Sequence, residues 1–152
     1  MSPTGVAVVS GASRGLGASI GHRLAADGWP VAVNYRHGRA EAEAVVGKLR
    51  AAGGVAEAFG TNVLDEHGVA DLFQEVGHVL GPVTAVIANA TGPQPEVALE
   101  ELTWRTCLDQ LEFFVTSPTL LVQAALPSMR ASGDALDGRQ CVTSQRPRRP
   151  RA

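Results

Sequence analysis

The sequence predicts an α/β fold, an incomplete doubly wound parallel sheet with helices on both faces. Two observations carry that prediction. Short runs of branched apolar residues alternate three times with segments of helical periodicity, and a fourth such run follows at 83–88. The first run also turns into its helix through a glycine cluster, VAVVSGASRGLG at 6–17, and strand-to-helix crossovers are what a parallel sheet requires. Composition agrees, with 45% hydrophobic and 18% charged residues. A chain of 152 residues can build one core, because a domain near that size buries about 70% of its unfolded surface.

Residues 6–9 form the first strand, which Ser10 and Gly11 break. A helix opens across Gly15 and Gly17 and runs to about Asp27, with Leu16, Ile20 and Leu24 on its inner face. Gly28 and Pro30 stop it. Residues 31–33 make the second strand, ending at Asn34, Tyr35 and Arg36, and residues 39–52 the second helix, with Ala42, Val45, Val46 and Leu49 inward. The third strand, 55–60, is weakly patterned and leads to Asn62 and Val63. Helix 67–80 then places Val69, Leu72, Phe73, Val76 and Leu80 in the core. The fourth strand, 83–88, is apolar except for Thr84, as a strand covered on both faces should be. Residues 96–109 look helical, and 110–130 make a long helix with Leu111, Val115, Leu121 and Ala125 inward.

The glycine cluster has a chemical use. Gly11 permits a tight turn, while Gly15 and Gly17 remove Cβ atoms that would hold a ligand away from the backbone. The unpaired N–H groups of the first helical turn then face the gap with a positive dipole end, which suits a pyrophosphate. Glycine-rich turns also occur without any ligand; the strand before this one and the amphipathic helix after it favour a nucleotide.

The spacing Gly11-x3-Gly15-x-Gly17, written SGASRGLG, closely resembles the cofactor loop of the short-chain dehydrogenase/reductase family, and its wording is most similar to the β-ketoacyl-carrier-protein reductase type. The resemblance covers residues 5 to about 139 and implies a Rossmann-type NAD(P)-binding domain at 1–139. Ser10 stands where the family usually has Thr and keeps the hydroxyl. The implied cofactor-binding residues are Gly11, Ser13, Arg14, Gly15, Leu16, Gly17, Tyr35, Arg36, Asn62, Val63, Asn89, Ala90 and Gly92. A carboxylate at the end of the second strand would bind the adenosine ribose of NAD. Tyr35 and Arg36 stand there instead, and a guanidinium suits the 2′-phosphate of NADP, with Arg14 as a second candidate. NADP is therefore the expected cofactor, NADPH being preferred over NADH. The ordinary alternative for Arg36 is a surface arginine after a strand. Asn62, at a position where the family usually has Asp, can still offer an acceptor to the adenine amino group beside the Val63 N–H. Asn89-Ala90-Thr91-Gly92 stands in for the family's Asn-Asn-Ala-Gly stretch, with Ala88 replacing the first Asn.

The resemblance also implies what to seek for catalysis: a Ser to orient a carbonyl, a Tyr to donate a proton and a Lys in Tyr-x3-Lys. The chain has one tyrosine, Tyr35, and one lysine, Lys48, so that motif does not occur in it. The family's supporting Asn on the long helix falls at Phe114, counted back from QAALPSM at 123–129, and the serine slot falls at Gln145, beside Ser144. No catalytic residue is assigned.

The remaining features exclude other functions. No apolar run approaches the roughly 20 residues of a membrane span, and the start, MSPTG, is not a secretion signal. Cys107 and Cys141 lie in no metal-ligand spacing and point to reduced thiols in a cytoplasmic protein. His22, His37, His67 and His78 have no ligand-spaced partners, so no metal is expected, and Glu100 and Glu101 read as a solvated helix face. A net charge of −2 argues against nucleic acid as a partner of the body. Residues 140–152 are expected to be a disordered Arg/Pro-rich tail, either an arm for an acidic partner or a solvated end.

Three functional expectations follow: a truncated NADP-dependent short-chain oxidoreductase, a non-catalytic NADP(H)-binding module, or the product of a shortened or frame-shifted gene. In a chain of this length the fourth strand becomes an exposed apolar edge, so association with a complete homologue, or self-association through that edge, is expected as well.

Overall fold

The structure is a computed structural model that describes residues 4–92 and 96–132. The expected tail at 140–152, Cys141, Ser144, Gln145 and the end of the expected domain at 133–139 lie outside the described residues. Four parallel strands, β1 (Val6–Val9), β2 (Val31–Tyr35), β3 (Ala56–Gly60) and β4 (Val83–Ile87), form one sheet in the order β3-β2-β1-β4. All four residues of β1 are fully buried, as the strand at the middle of a doubly covered sheet must be. β4 is an edge strand among the described residues, and it pairs with β1 through an irregularity between Val6 and Ala7.

The helices cover the two faces in pairs. α1 (Gly15–Ala26) and α2 (Arg39–Ala51) close a core of Val9, Val31, Val33, Val45, Val46 and Leu49. The inward residues expected of the second helix are those that bury: Ala42, Val45, Val46 and Leu49. α3 (Glu66–Val79) and α4 (Trp104–Ala131) close the other core, built on Val6, Val8, Phe59, Leu72, Phe73, Val76, Val83 and Leu121. Val69, Leu72, Phe73 and Val76 bury as their spacing requires, with Leu80 packed beside them.

Three expectations are corrected. Leu16 does not face the core; it is 71% exposed, because the face that α1 lays on the sheet is Gly17 and Gly21, with Ala18, Ile20 and Leu24 beside it. Gly17 lies against the loops after β1 and β4, where a Cβ would strike the Gly11 carbonyl oxygen, and a Cβ on Gly21 would stand 3.7 Å from Val31. Residues 96–109 are not one helix. A short 3-10 turn, Leu99–Glu101, is followed by Thr103, whose side-chain oxygen accepts from the Thr106 N–H and caps α4. From there α4 runs unbroken through Gln110 and past Pro118, which costs the Phe114 carbonyl its helical donor. Finally, the inner face of α4 is Phe113, Ser117, Leu121 and Ala125. Leu121 and Ala125 are as expected, but Leu111 and Val115 are exposed. Spacing of four from Phe113 defines a stripe that excludes both.

Candidate functional site

The loops after β1 and β4 meet at the C-terminal edge of the sheet. β1 connects outward to β2 on one side and has β4 on the other, so the strand order reverses between β1 and β4. In open α/β sheets that reversal leaves a crevice above the strand ends, where ligands sit.

Ser10 ties the two loops together. Its hydroxyl is fully buried, donates to the Ile87 carbonyl at 3.3 Å, and accepts from the Asn89 and Ala90 N–H groups, each at 3.0 Å. The Asn89 side chain replies from the other loop: its amide donates to the Ser10 carbonyl at 3.0 Å and the Gly11 carbonyl at 3.2 Å. A hydroxyl can make one donor and two acceptor bonds, and here all three are made. We expect Ser10→Ala to cost about 1–3 kcal/mol, because the Ala90 N–H is left without an acceptor. Urea unfolding reads this as a lower midpoint with an unchanged slope, whereas Ser10→Thr keeps the hydroxyl and the midpoint. Wild-type stability in Ser10→Ala would refute the tie.

The glycines shape the space above this tie. Gly11 has φ +64°, and a Cβ there would stand 2.9 Å from the Ala90 Cα. A Cβ on Gly17 would strike the Gly11 carbonyl oxygen and stand 2.6 Å from Asn89 Nδ2. Gly15, at φ +56°, has open space where its Cβ would be. The cap residue of α1 is Arg14, extended at φ −163° and ψ 175°, and it makes no side-chain capping bond. The N–H groups of Gly15, Leu16 and Gly17 therefore have no partner within the helix and no cap, and the first intrahelical bond closes from Ala18 to the Arg14 carbonyl. Exposed Leu16 flanks these amides, and Ser13 lies half-buried just before them.

The remaining expected residues line the strand ends. The Ala12 N–H donates to the Asn34 carbonyl at 2.9 Å, joining the glycine loop to the end of β2. Tyr35 lies across the end of β3, its hydroxyl 3.0 Å from where a Gly60 Cβ would be, and Arg36 is exposed beyond it. Asn62 Oδ1 accepts from the Leu64 N–H at 3.3 Å in a side-chain turn, and Val63 beside it is buried. Gly92 passes over Phe113 so closely that its Cβ would stand 3.1 Å from the ring.

Electrostatics single out two of the expected cations. Among the described residues, Arg23, Arg39, Arg50 and Arg105 pair with Asp27, Glu43, Glu57 and Asp109. The guanidinium of Arg23 is raised by its hydrogen bond to Asp27, and that of Arg39 by its hydrogen bond to Glu43. Arg14 and Arg36 are in none of these pairs, so both are available to an anion. Sequence reasoning did not place the buried amide of Asn34 or the loop-tying role of Ser10. The signals were a polar residue inside an otherwise apolar strand and a hydroxyl directly before the first glycine.

Other chemistry finds less support. Among the described residues no group of three His, Cys, Asp or Glu side chains is arranged to hold a metal. No helix of the described residues is long and apolar enough to cross a membrane. A groove of about 450 Å³ lies between α3 and α4 beside Val83, at the opposite end of β4 from the glycine loop.

The family model described as short chain dehydrogenase matches residues 5–139. The chain belongs to the short-chain dehydrogenase family. Its curated relatives include the 3-oxoacyl-acyl-carrier-protein reductase FabG of Staphylococcus aureus, 37% identical over 111 residues, covering 72% of this chain and 45% of that protein. Among solved structures it is similar to a metagenomic short-chain oxidoreductase in complex with NADP, with a TM-score of 0.74, 29% identity, and coverage of 84% of this chain and 57% of that one. It is similar, too, to a short chain dehydrogenase from Burkholderia cenocepacia in complex with NADP, with a TM-score of 0.73, 32% identity, and coverage of 81% and 50%. The chain spans about half the length of the curated relatives it matches. The sheet order and glycine loop of this short-chain dehydrogenase family member thus form a partial Rossmann-type fold.

Proposed function

We propose that this chain holds NADP(H) across the C-terminal ends of β1 to β4, as the cofactor-binding part of an NADP-dependent short-chain oxidoreductase. The observation that carries the reading is the uncapped start of α1. Three backbone amides, of Gly15, Leu16 and Gly17, face a crevice at a strand-order reversal, with the unpaired Arg14 beside them. Backbone donors at a positive dipole end fit a pyrophosphate, and Gly15, whose Cβ would stand in open space, allows it to come close; Gly17, expected to do the same, instead packs against the β1 and β4 loops. Arg36, at the end of β2 where no carboxylate stands, is assigned to the 2′-phosphate together with Arg14. Asn62 and Val63 are assigned to the adenine edge, and Asn89, Ala90 and Gly92 to the ribose side of the crevice. The complexes of the two related structures with NADP support the same cofactor.

When bound, the dinucleotide supplies the hydride carried at nicotinamide C4. The chain's own residues bind and orient it. Proton delivery is not assigned to them, because the single tyrosine and single lysine, Tyr35 and Lys48, both lie in the cofactor half. The reading is therefore that of an NADP(H)-binding module of an oxidoreductase family.

Calorimetry with NADPH and NADH tests it. NADPH is expected to bind saturably and more tightly than NADH, and binding should vanish in Gly15→Val, whose side chain would stand in the approach to the free amides. Arg36→Ala should weaken NADPH roughly tenfold or more and leave NADH unchanged, since a hydrogen bond to a charged group contributes about 1.5–3 kcal/mol. Equal affinity for the two dinucleotides would remove the 2′-phosphate assignment.

A further inference from the structure

We infer that Asn34 is a positioning residue for the dinucleotide site, holding the phosphate loop and the adenine loop at a fixed separation. The inference rests on the reading of the site as an NADP(H) cradle. Asn34 is 1% exposed and follows three fully buried residues, Val31, Ala32 and Val33, in β2. Burying a side-chain amide in such a strand is costly unless its hydrogen bonds are made. Both of its donors are used. Nδ2 donates to the Phe59 carbonyl at 3.3 Å and to the Thr61 carbonyl at 3.2 Å. Since both partners are carbonyls, the nitrogen and not the oxygen must face them.

These bonds do more than join two strands. Phe59 is already the register partner of Asn34 in the β2–β3 ladder, so the bond to Phe59 adds to an existing pairing. The bond to Thr61 reaches past the end of β3, to the residue directly before Asn62. It acts there with the Thr61 N–H, which donates to the Tyr35 carbonyl at 2.8 Å. On its other side, the main-chain carbonyl of Asn34 accepts from the Ala12 N–H, one residue after Gly11. A single buried residue therefore touches the phosphate loop through its backbone and the adenine loop through its side chain. Valine would complete the strand as well as Asn34 does, but it would release the adenine loop.

The test compares Asn34→Val, and Asn34→Asp as a near-isosteric second variant, with Leu49→Ala, a core substitution in α2 remote from both loops. Calorimetry measures NADPH and 2′,5′-ADP, and hydrogen exchange of the ligand-free chain follows residues 10–17, 60–64 and 42–49. With all chains folded at the working temperature, the Asn34 variants should lose tenfold or more in affinity for both ligands. They should also lose exchange protection at 60–64 while keeping it at 42–49. Leu49→Ala should keep the affinity even where it lowers Tm as far. Wild-type affinity in both Asn34 variants, or an equal loss in Leu49→Ala, would overturn the inference. Absence of NADPH binding by the unsubstituted chain would instead remove the reading of the site, and the inference with it. That failure is distinguishable, because it appears before any substitution is made.

Discussion

A Gly17→Ala chain is expected to bind no NADPH and to unfold well below the unsubstituted one. Residue 17 is ordinary helix, so the objection to alanine is one of space. Its Cβ would strike the Gly11 carbonyl oxygen, stand 2.6 Å from Asn89 Nδ2 and 3.0 Å from the Ala12 Cα. Two of those three atoms are backbone and cannot rotate away. The third belongs to the amide that holds the Ser10 and Gly11 carbonyls, so moving it undoes the loop it fastens. Overpacking costs about 1–3 kcal/mol and stranded buried polar groups about as much again, together about 2–6 kcal/mol. Gly15→Ala provides the contrast. Open space surrounds the position, and the penalty is the left-handed backbone alone, about 1–2 kcal/mol. Thermal unfolding by circular dichroism and NADPH calorimetry check both variants. A Gly17→Ala chain with unchanged Tm would refute the close approach of α1 to the β1 and β4 loops.

The second large effect lies on α4. Leu121→Ala should cost about 2–5 kcal/mol, the range for removing a fully buried leucine and leaving a cavity. Leu121 is completely buried in the core closed by α3 and α4, between Ser117 and Ala125 on the same stripe. Leu111→Ala on the same helix should change stability by no more than about 0.5 kcal/mol, because its side chain is half exposed. Denaturant unfolding of the two chains decides between the faces. Equal losses would mean that α4 packs with Leu111 inward.

That pair shows where the sequence was legible and where it was not. α2 and α3 each carry one apolar stripe with polar residues opposite, so Val45, Val46 and Leu49, and Leu72, Phe73 and Val76, could bury in only one way. α4 carries apolar residues all round. Leu108, Leu111, Val115 and Val122 offer a second stripe as regular as the one that buries, and periodicity alone does not choose between them. Leu16 failed for a different reason: the fully buried positions of α1 are Gly17 and Gly21, which a hydrophobic count reads as nothing. At the site, the glycine loop was visible because its parts are adjacent in sequence. The ties behind it were not. Ser10 meets Asn89 and Ala90 across some 79 and 80 residues, and Asn34 meets Thr61 across 27. Polar pairs at such separations leave no local pattern, and only the assembled strand order brings them together.

The same separation has a consequence for how the chain comes together in time. β1 pairs with β2 across a short stretch, Ala7 to Val31, but with β4 across a far longer one, Ala7 to Ala85. Closing the longer loop costs about 1 kcal/mol more in chain entropy, and non-local parallel pairings are the slow ones. Strands β1 to β3 with α1 and α2 can therefore gather while the cradle is still open on the β4 side. Only when Asn89 and Ala90 dock on Ser10 does the glycine loop acquire its final shape. A nucleotide that binds this last-formed loop would bind the finished fold and not its precursors, and so would shift the folding equilibrium by mass action.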